Sequence, residues 1–161
     1  GAGSAAGEQG AAAALGALGD ARAVEPLVSI LETKKGFLDK FTFLKERVIE
    51  ALGKLNLTNG RVLKALKHSL SDESSYVRIN AIEALMNSGE DEAYDLIKDM
   101  LFDRDEEVKK NALVALYNMV GRKILDEIFA EAEYDKYLKD EAEKLFKEYE
   151  EEENDDNDKN E

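Results

Sequence analysis

One phrase recurs four times along this 161-residue chain and constrains its fold more than any other feature. It reads LKERVIEALGKL from Leu44, VRINAIEALMNS from Val77, VKKNALVALYNM from Val108 and, in a degraded form, LKDEAEKLFKEY from Leu138. The start-to-start spacings are 33, 31 and 30 residues. A recurrence of that length is typical of stacked helical pairs, each of which is too small to bury a core alone. We therefore predict an all-α solenoid.

The apolar residues inside each phrase have the spacing of one helical face. After Val77 they are Ala81, Ile82, Ala84 and Leu85, and the same positions after Val108 are again apolar. Shorter apolar stripes follow each of the first three phrases after a break. This pattern predicts four helical pairs, over about residues 11–32, 44–70, 76–101 and 107–132, and a capping helix over 135–150.

The two ends of the chain differ in composition from the repeats. Residues 1–10, GAGSAAGEQG, predict a flexible arm, and the acidic residues 151–161 predict a disordered tail because like charges repel. Gly7 and Gly10 fall where the first repeat should have helix-forming residues. Either that helix is frayed or upstream repeats were removed. In the second case, self-association through the first repeat is expected.

Charge and composition exclude several classes of function. The net charge is −14, with residues 33–68 at +6 and residues 69–161 at −17. Most of the surface would therefore repel nucleic acid. The chain has no cysteine, one histidine and no apolar stretch long enough to cross a membrane. We expect a cytoplasmic protein that is not an enzyme and has no metal or cofactor.

The repeats resemble a known family through particular residues. These are AAAALGALGDARAVEPLVSIL near the start, ALGKL in the second repeat, Asp72 followed by Val77-Arg78, and Asp103 followed by Val108-Lys109. The text is similar to the HEAT-like repeat of phycobilisome lyases and of many uncharacterised bacterial and archaeal proteins, over about residues 11–146. This resemblance implies a right-handed superhelix whose second helices line a concave surface. It also implies either a protein-interaction scaffold or a bilin lyase.

Two groups of residues are candidate binding sites. The second helix of the second repeat carries Arg61, Lys64, Lys67 and His68 away from its leucine stripe. On the resemblance, this basic set faces the concave surface and binds an acidic partner; the alternative is an ordinary solvated face. Phe37 and Phe41, with Leu38 and Phe43, crowd the connection before that repeat. They form either an exposed hydrophobic hot spot or a short helix that covers the stack.

The sequence therefore predicts a non-enzymatic scaffold that presents a concave helical surface to a protein or peptide. The alternative is a bilin-lyase-like or other enzyme accessory subunit that holds a tetrapyrrole or modifies a protein. Colour that co-purifies with the protein would distinguish the two. A related enzyme, deoxyhypusine hydroxylase, is excluded because it needs several His-Glu pairs, whereas the single histidine, His68, is followed by Ser69.

Overall fold

A computed structural model describes residues 7, 10, 21–33, 38–55 and 60–160. The described ranges contain helices, turns and loops but no strand. The α-helices are α1 (Val24–Thr33), α2 (Leu38–Leu55), α3 (Gly60–Ser69), α4 (Ser75–Ser88), α5 (Ala93–Asp99), α6 (Glu106–Val120), α7 (Arg122–Ala130) and α8 (Lys136–Lys159). One 3₁₀ turn precedes α1 and another, Met100–Phe102, follows α5.

The helices alternate between two roles in a stack of repeats. Helices α2, α4 and α6 carry the recurring phrase and are the first helices of their pairs, while α1, α3, α5 and α7 are second helices. The most extensive packing joins α2 to α4 and α4 to α6, and α8 closes the stack against α6 and α7. The predicted all-α solenoid is confirmed.

Small residues let the first helices approach one another. Ala51, Ala84 and Ala115 occupy the same position in successive repeats, and all three are buried. A Cβ atom placed on Gly53 of α2 would lie 3.7 Å from the Ala84 Cβ of α4. Leu52, Leu85 and Leu116 follow the alanines and are also buried. Each such leucine stabilises the stack by about 1.5–3 kcal/mol through burial of its side chain.

A second periodic feature links each repeat to the next. The second residue of each recurring phrase donates to the aspartate in the loop that follows the pair: Lys45 to Asp72 at 2.6 Å, Arg78 to Asp103 at 2.9 Å, and Lys109 to Asp135 at 2.5 Å. These aspartates also accept backbone N–H groups at the start of the next repeat. The residues that carry the family resemblance therefore join neighbouring repeats.

Helix ends follow local signals in the sequence. Gly89 ends α4 with a φ of 72°, a left-handed conformation that glycine adopts without strain. Asp105 and Asp135 cap the N-termini of α6 and α8 by accepting backbone N–H groups. Pro26 lies in the first turn of α1, where its missing N–H is not needed.

The structure differs from the sequence prediction in two segments. Helix α2 begins at Leu38 rather than near Leu44, so part of the predicted connection extends the first helix. Helix α8 continues to Lys159, through most of the tail that was predicted to be disordered. Glutamate is a good helix former, and the Tyr149 hydroxyl donates to Glu153 one turn later at 2.8 Å, which supports this extension.

Some predictions concern residues outside the described ranges. They are the flexible arm over residues 1–10, apart from Gly7 and Gly10, and the first helix of the repeat at 11–32. The self-association predicted through the first repeat also involves residues outside the described ranges. Phe37 and the side chain of Phe41 also lie outside the described part of the structure.

Candidate functional site

A groove of about 730 Å³ runs between the first helices α2 and α4. Its floor is formed where α2 and α4 pack closely, at Gly53 and Ala84. Its volume is within the range of about 300–1,000 Å³ that is common for ligand sites. The groove therefore arises from the same small residues that let the first helices stack.

Two exposed aromatic side chains line this groove. Phe43 is 66% exposed and Tyr76 is 67% exposed, and each directly precedes the recurring phrase of its repeat. They are the two most exposed large apolar side chains in the described part of the chain. Exposed aromatic residues beside a groove are typical of binding hot spots because they bury a large area with little loss of conformational entropy.

Charged groups along the groove are unevenly paired. Glu50 accepts from Arg47 at 3.2 Å and from Lys54 at 3.0 Å, and the hydrogen bond from Lys54, more than any other contact, lowers the pKa of the Glu50 carboxyl. Burial raises the pKa of Glu46, although Arg47 opposes the shift. Among the described residues, no cation forms an ion pair with Glu46 or with Glu83. The groove thus retains unpaired negative charge.

Asparagines occupy two repeated positions on the same face. Counting from the first residue of the phrase, the fourth and eleventh residues are Asn80 and Asn87 in α4 and Asn111 and Asn118 in α6. We call the fourth positions and the eleventh positions the two amide rows. Asn80 and Asn87 line the groove. Within the described structure neither of these two side chains makes a hydrogen bond, so their amides are open to a ligand.

Comparison with known proteins identifies the fold's family. A model of HEAT repeats matches residues 38–117, and a model of the PBS lyase HEAT-like repeat matches residues 9–33. This chain belongs to the HEAT-like repeat family. No curated protein matches it. HEAT repeats generally mediate protein interactions, so the family indicates a class of function without a partner.

The predicted basic set lies on α3, a HEAT-like second helix, and its members have different environments. The Arg61 guanidinium donates to Glu32 at 2.6 and 3.0 Å and to Glu25 at 3.1 Å, both on α1. The positive charge of Arg61 is therefore paired with carboxylates on α1, and these ion pairs link α1 to α3. Lys64, Lys67 and His68 are exposed. Lys67 and His68 lie in the last turn of α3, where positive charge stabilises the helix dipole.

A second polar cluster joins the last HEAT-like second helices. Lys98 of α5 forms an ion pair with Glu127 of α7, and Tyr134 stacks on Phe102 with 5.3 Å between ring centroids. The hydrogen bond to Glu127 raises the pKa of Lys98, which keeps its amine protonated and unsuited to act as a base. This cluster stabilises the end of the stack. Over the described part of the chain, no group of three or more His, Cys, Asp or Glu residues is arranged to bind a metal.

Sequence reasoning did not identify the groove or its amides. The signal was available, because Asn80 and Asn111, like Asn87 and Asn118, are 31 residues apart, as are the phrases that contain them. The hydrophobic periodicity does not identify these repeated polar positions. The sequence places Phe43 in the aromatic connection but does not show that it lies on the same groove as Tyr76. None of the described helices combines the length and apolar composition that a membrane crossing requires.

Proposed function

We propose that this protein is a non-enzymatic binding module that takes up a segment of a protein or peptide in the groove between α2 and α4. The observation that carries this proposal is the exposure of Phe43 and Tyr76 on that groove. Burial of two such aromatic side chains against a partner supplies much of the binding free energy of a typical hot spot. The family supports the same class of function, since HEAT repeats generally mediate protein interactions.

The helices give the groove rigid walls. Both walls of the groove are helices held by buried residues such as Ile49 and Leu85. A preformed groove reduces the ordering cost that would otherwise oppose association. The described lining contains carboxylates, amides, two cations and aromatic groups, without histidine, serine or threonine. This chemistry suits recognition better than nucleophilic catalysis.

The basic set on α3 remains a separate prediction. Lys64, Lys67 and His68 are available to an acidic partner, whereas Arg61 already contacts Glu25 and Glu32. A charge reversal of Lys64 and Lys67 tests that surface without changing the groove. The groove is the stronger candidate because it combines a volume typical of ligand sites with two exposed aromatic side chains.

The test is selection of a displayed library of random 12-residue peptides on the immobilised protein. The most enriched peptides are then synthesised, and their affinities are measured by fluorescence anisotropy for the wild type and for the double variant Phe43→Ser, Tyr76→Ser. Loss of two hot-spot side chains should weaken binding at least tenfold, which corresponds to about 1.4 kcal/mol. Both positions are exposed, so the variant should keep the wild-type circular dichroism spectrum.

A matched control replaces an exposed apolar residue elsewhere, Val120→Ser. It should change the affinity less than twofold. Equal loss in both variants, or no enrichment of any peptide, would contradict the proposal. A visible absorption band that co-purifies with the wild type and is lost in the groove variant would instead support the lyase-like alternative.

A further inference from the structure

The amide rows extend beyond the groove along the first helices. The contact between the Asn118 amide nitrogen and the Met86 sulfur, at 3.9 Å, places the end of α6 beside the end of α4. Met86 immediately precedes Asn87, so the eleventh positions of the two phrases are neighbours. Burial, and then the carboxylates of Glu152 and Glu148 on α8, raise the pKa of the Tyr117 hydroxyl. The eleventh positions therefore form a row across α4 and α6.

The rows change character from one end to the other. The fourth positions are Arg47, Asn80, Asn111 and Glu141, and the eleventh positions are Lys54, Asn87, Asn118 and Glu148. Both begin with a cation on α2, continue with amides on α4 and α6, and end with a carboxylate on α8. Such a surface presents different chemistry to the two ends of any ligand that lies along it.

The amides are placed where helix stability does not explain them. Asparagine is disfavoured inside helices because its side chain competes with the backbone for hydrogen bonds. Asn111 does this, since its amide donates to the Glu107 carbonyl at 2.8 Å. Asn118 has only the sulfur contact, and Asn80 and Asn87 line the groove. Each amide can both donate and accept, which is what a peptide main chain offers in return.

The spacing of the helices selects an extended ligand. Packed helices are about 8–10 Å apart, and an extended chain advances about 3.3 Å per residue. Successive amides in one row would therefore meet a peptide every two to three residues, and α2 to α6 would span about five or six residues. A helical ligand has already satisfied its main-chain groups internally, so it would leave the asparagines without partners.

The charge of the groove selects a basic side chain. Phe43 and Tyr76 line the same groove as Glu46 and Glu83, and neither carboxylate forms an ion pair within the described structure. A lysine or arginine placed there gains both cation–π contact and a carboxylate. The net charge of −17 over residues 69–161, which include α4 and α6, also attracts a basic segment at long range.

We propose that the groove and the amide rows bind an extended basic peptide segment that crosses α2, α4 and α6. Asn87 and Asn118 hydrogen-bond its main chain, and a lysine or arginine side chain lies between Phe43 and Tyr76. This inference rests on the proposed function, since it specifies the partner of the same groove. The inference specifies that the bound segment is extended, that it crosses the helices and that it is basic.

The test uses the synthetic peptides enriched by the library selection. The variant Asn87→Leu, Asn118→Leu keeps the number and branching of the side-chain heavy atoms and removes the amides, and leucine favours the helix. We expect it to weaken peptide binding at least tenfold. The matched control, Asn154→Leu and Asn157→Leu on the exposed end of α8, should change affinity less than twofold. Peptides methylated on alternate main-chain nitrogens should also bind at least tenfold more weakly.

Charge and conformation provide two further measurements. Enriched peptides should contain more lysine and arginine than the starting library, and Glu46→Gln with Glu83→Gln should weaken binding severalfold at low salt and less at high salt. The bound peptide should not gain a helical circular dichroism signal.

Three results would overturn the inference, and they have different consequences for the proposed function. If the aromatic variant loses binding while the asparagine variant does not, the proposed function stands and the amide contacts are wrong. If the peptides become helical or carry no excess of basic residues, the predicted conformation or charge is wrong. If no peptide is enriched, both the inference and the proposed function fail.

Discussion

Arg78 shows how much of the stack depends on single polar residues. Its guanidinium forms two bonds to Asp103, at 2.9 and 3.0 Å, and donates to the carbonyls of Asp72 and Glu73. The two charged side chains are only 3% and 7% exposed. Both loops that flank the third repeat are therefore joined through one side chain. The equivalent residues, Lys45 and Lys109, make simpler and more exposed contacts.

Truncation of this residue should be costly. We expect Arg78→Ala to lower the free energy of unfolding by about 3–5 kcal/mol, because it leaves the buried Asp103 carboxylate without its cation and with only the Asp105 backbone N–H as a partner. Urea unfolding followed by circular dichroism measures this change. Arg104→Ala is the matched control, since Arg104 is exposed and makes one long bond of 3.4 Å, and it should change stability by less than about 0.5 kcal/mol. Similar losses in both variants would contradict a special role for the buried pair.

Among the elements, α2 and α4 illustrate how close approach depends on small residues. Gly53 lies inside helix α2, and an added Cβ atom there would be at ordinary contact distance, 3.7 Å, from Ala84. Gly53→Ala should therefore stabilise the protein by about 0.5–1 kcal/mol, since alanine is the better helix former and no neighbour must move. Thermal unfolding measures the shift.

The matched comparison is Gly89→Ala at the end of α4. Gly89 has a φ of 72°, which a residue with a Cβ atom adopts only at a cost. We expect this variant to be destabilised by about 1–2 kcal/mol. A loss of stability in Gly53→Ala would show that α2 and α4 are closer than the distance to Ala84 indicates.

Helix α8 depends on its N-terminal aspartate in a way that varies with pH. The hydrogen bonds from the Lys109 amine and then from the Leu138 backbone N–H lower the pKa of Asp135 below its ordinary value. A group with a lowered folded-state pKa adds stability above its unfolded value, about 3.9, and loses that stability as the pH falls through the folded value. The side chain is 45% exposed, so solvent screening reduces the effect.

We expect Asp135→Asn to be less stable than the wild type at pH 7 by less than about 1 kcal/mol, because asparagine still caps the helix but lacks the charge. The difference should shrink between about pH 5 and pH 3 as the wild-type carboxyl is protonated. Urea unfolding at pH 7, 5 and 3.5 tests this expectation. A difference that is the same at all three values would mean that the charge of Asp135 contributes nothing.

In the whole molecule, stability should be distributed unevenly along the chain. All side chains over residues 151–160 are exposed, whereas Leu138 and Ala142 of α8 are buried against the stack. Because a solenoid is stabilised by contacts between neighbouring elements, removal of a capping helix exposes the apolar face that it covers. The two halves of α8 therefore have different roles.

Truncation after Glu150 should leave the free energy of unfolding within about 0.5 kcal/mol of the wild type, although it changes the net charge from −14 to −8. Truncation after Tyr134 removes the buried residues of α8 and should destabilise the stack by more than about 3 kcal/mol or cause self-association. Urea unfolding and sedimentation velocity separate these outcomes. A monomer of unchanged stability after the longer truncation would show that α8 is not the cap.

The recurring phrase by itself determined the architecture of the described chain. Its period specified helical pairs, and its alanines and leucines specified which faces are buried, because a repeated pattern can be satisfied only by stacking. Local signals such as Gly89 and Asp135 also positioned helix ends close to where they are observed. The structure extends α8 beyond its predicted end at residue 150. Repulsion between the acidic side chains favours disorder there, but the helix propensity of glutamate and the hydrogen bond from Tyr149 to Glu153 stabilise the helix.

The candidate site was decided by tertiary structure. Sequence alone could not show that Arg61 is joined to α1, since Glu25 and Glu32 are about thirty residues away along the chain. Nor could it place Phe43 and Tyr76, 33 residues apart, on one groove. A period identifies equivalent positions, but the distance between helices determines which of those positions share a surface. That distance depends on the close packing of α2 and α4 at Gly53 and Ala84.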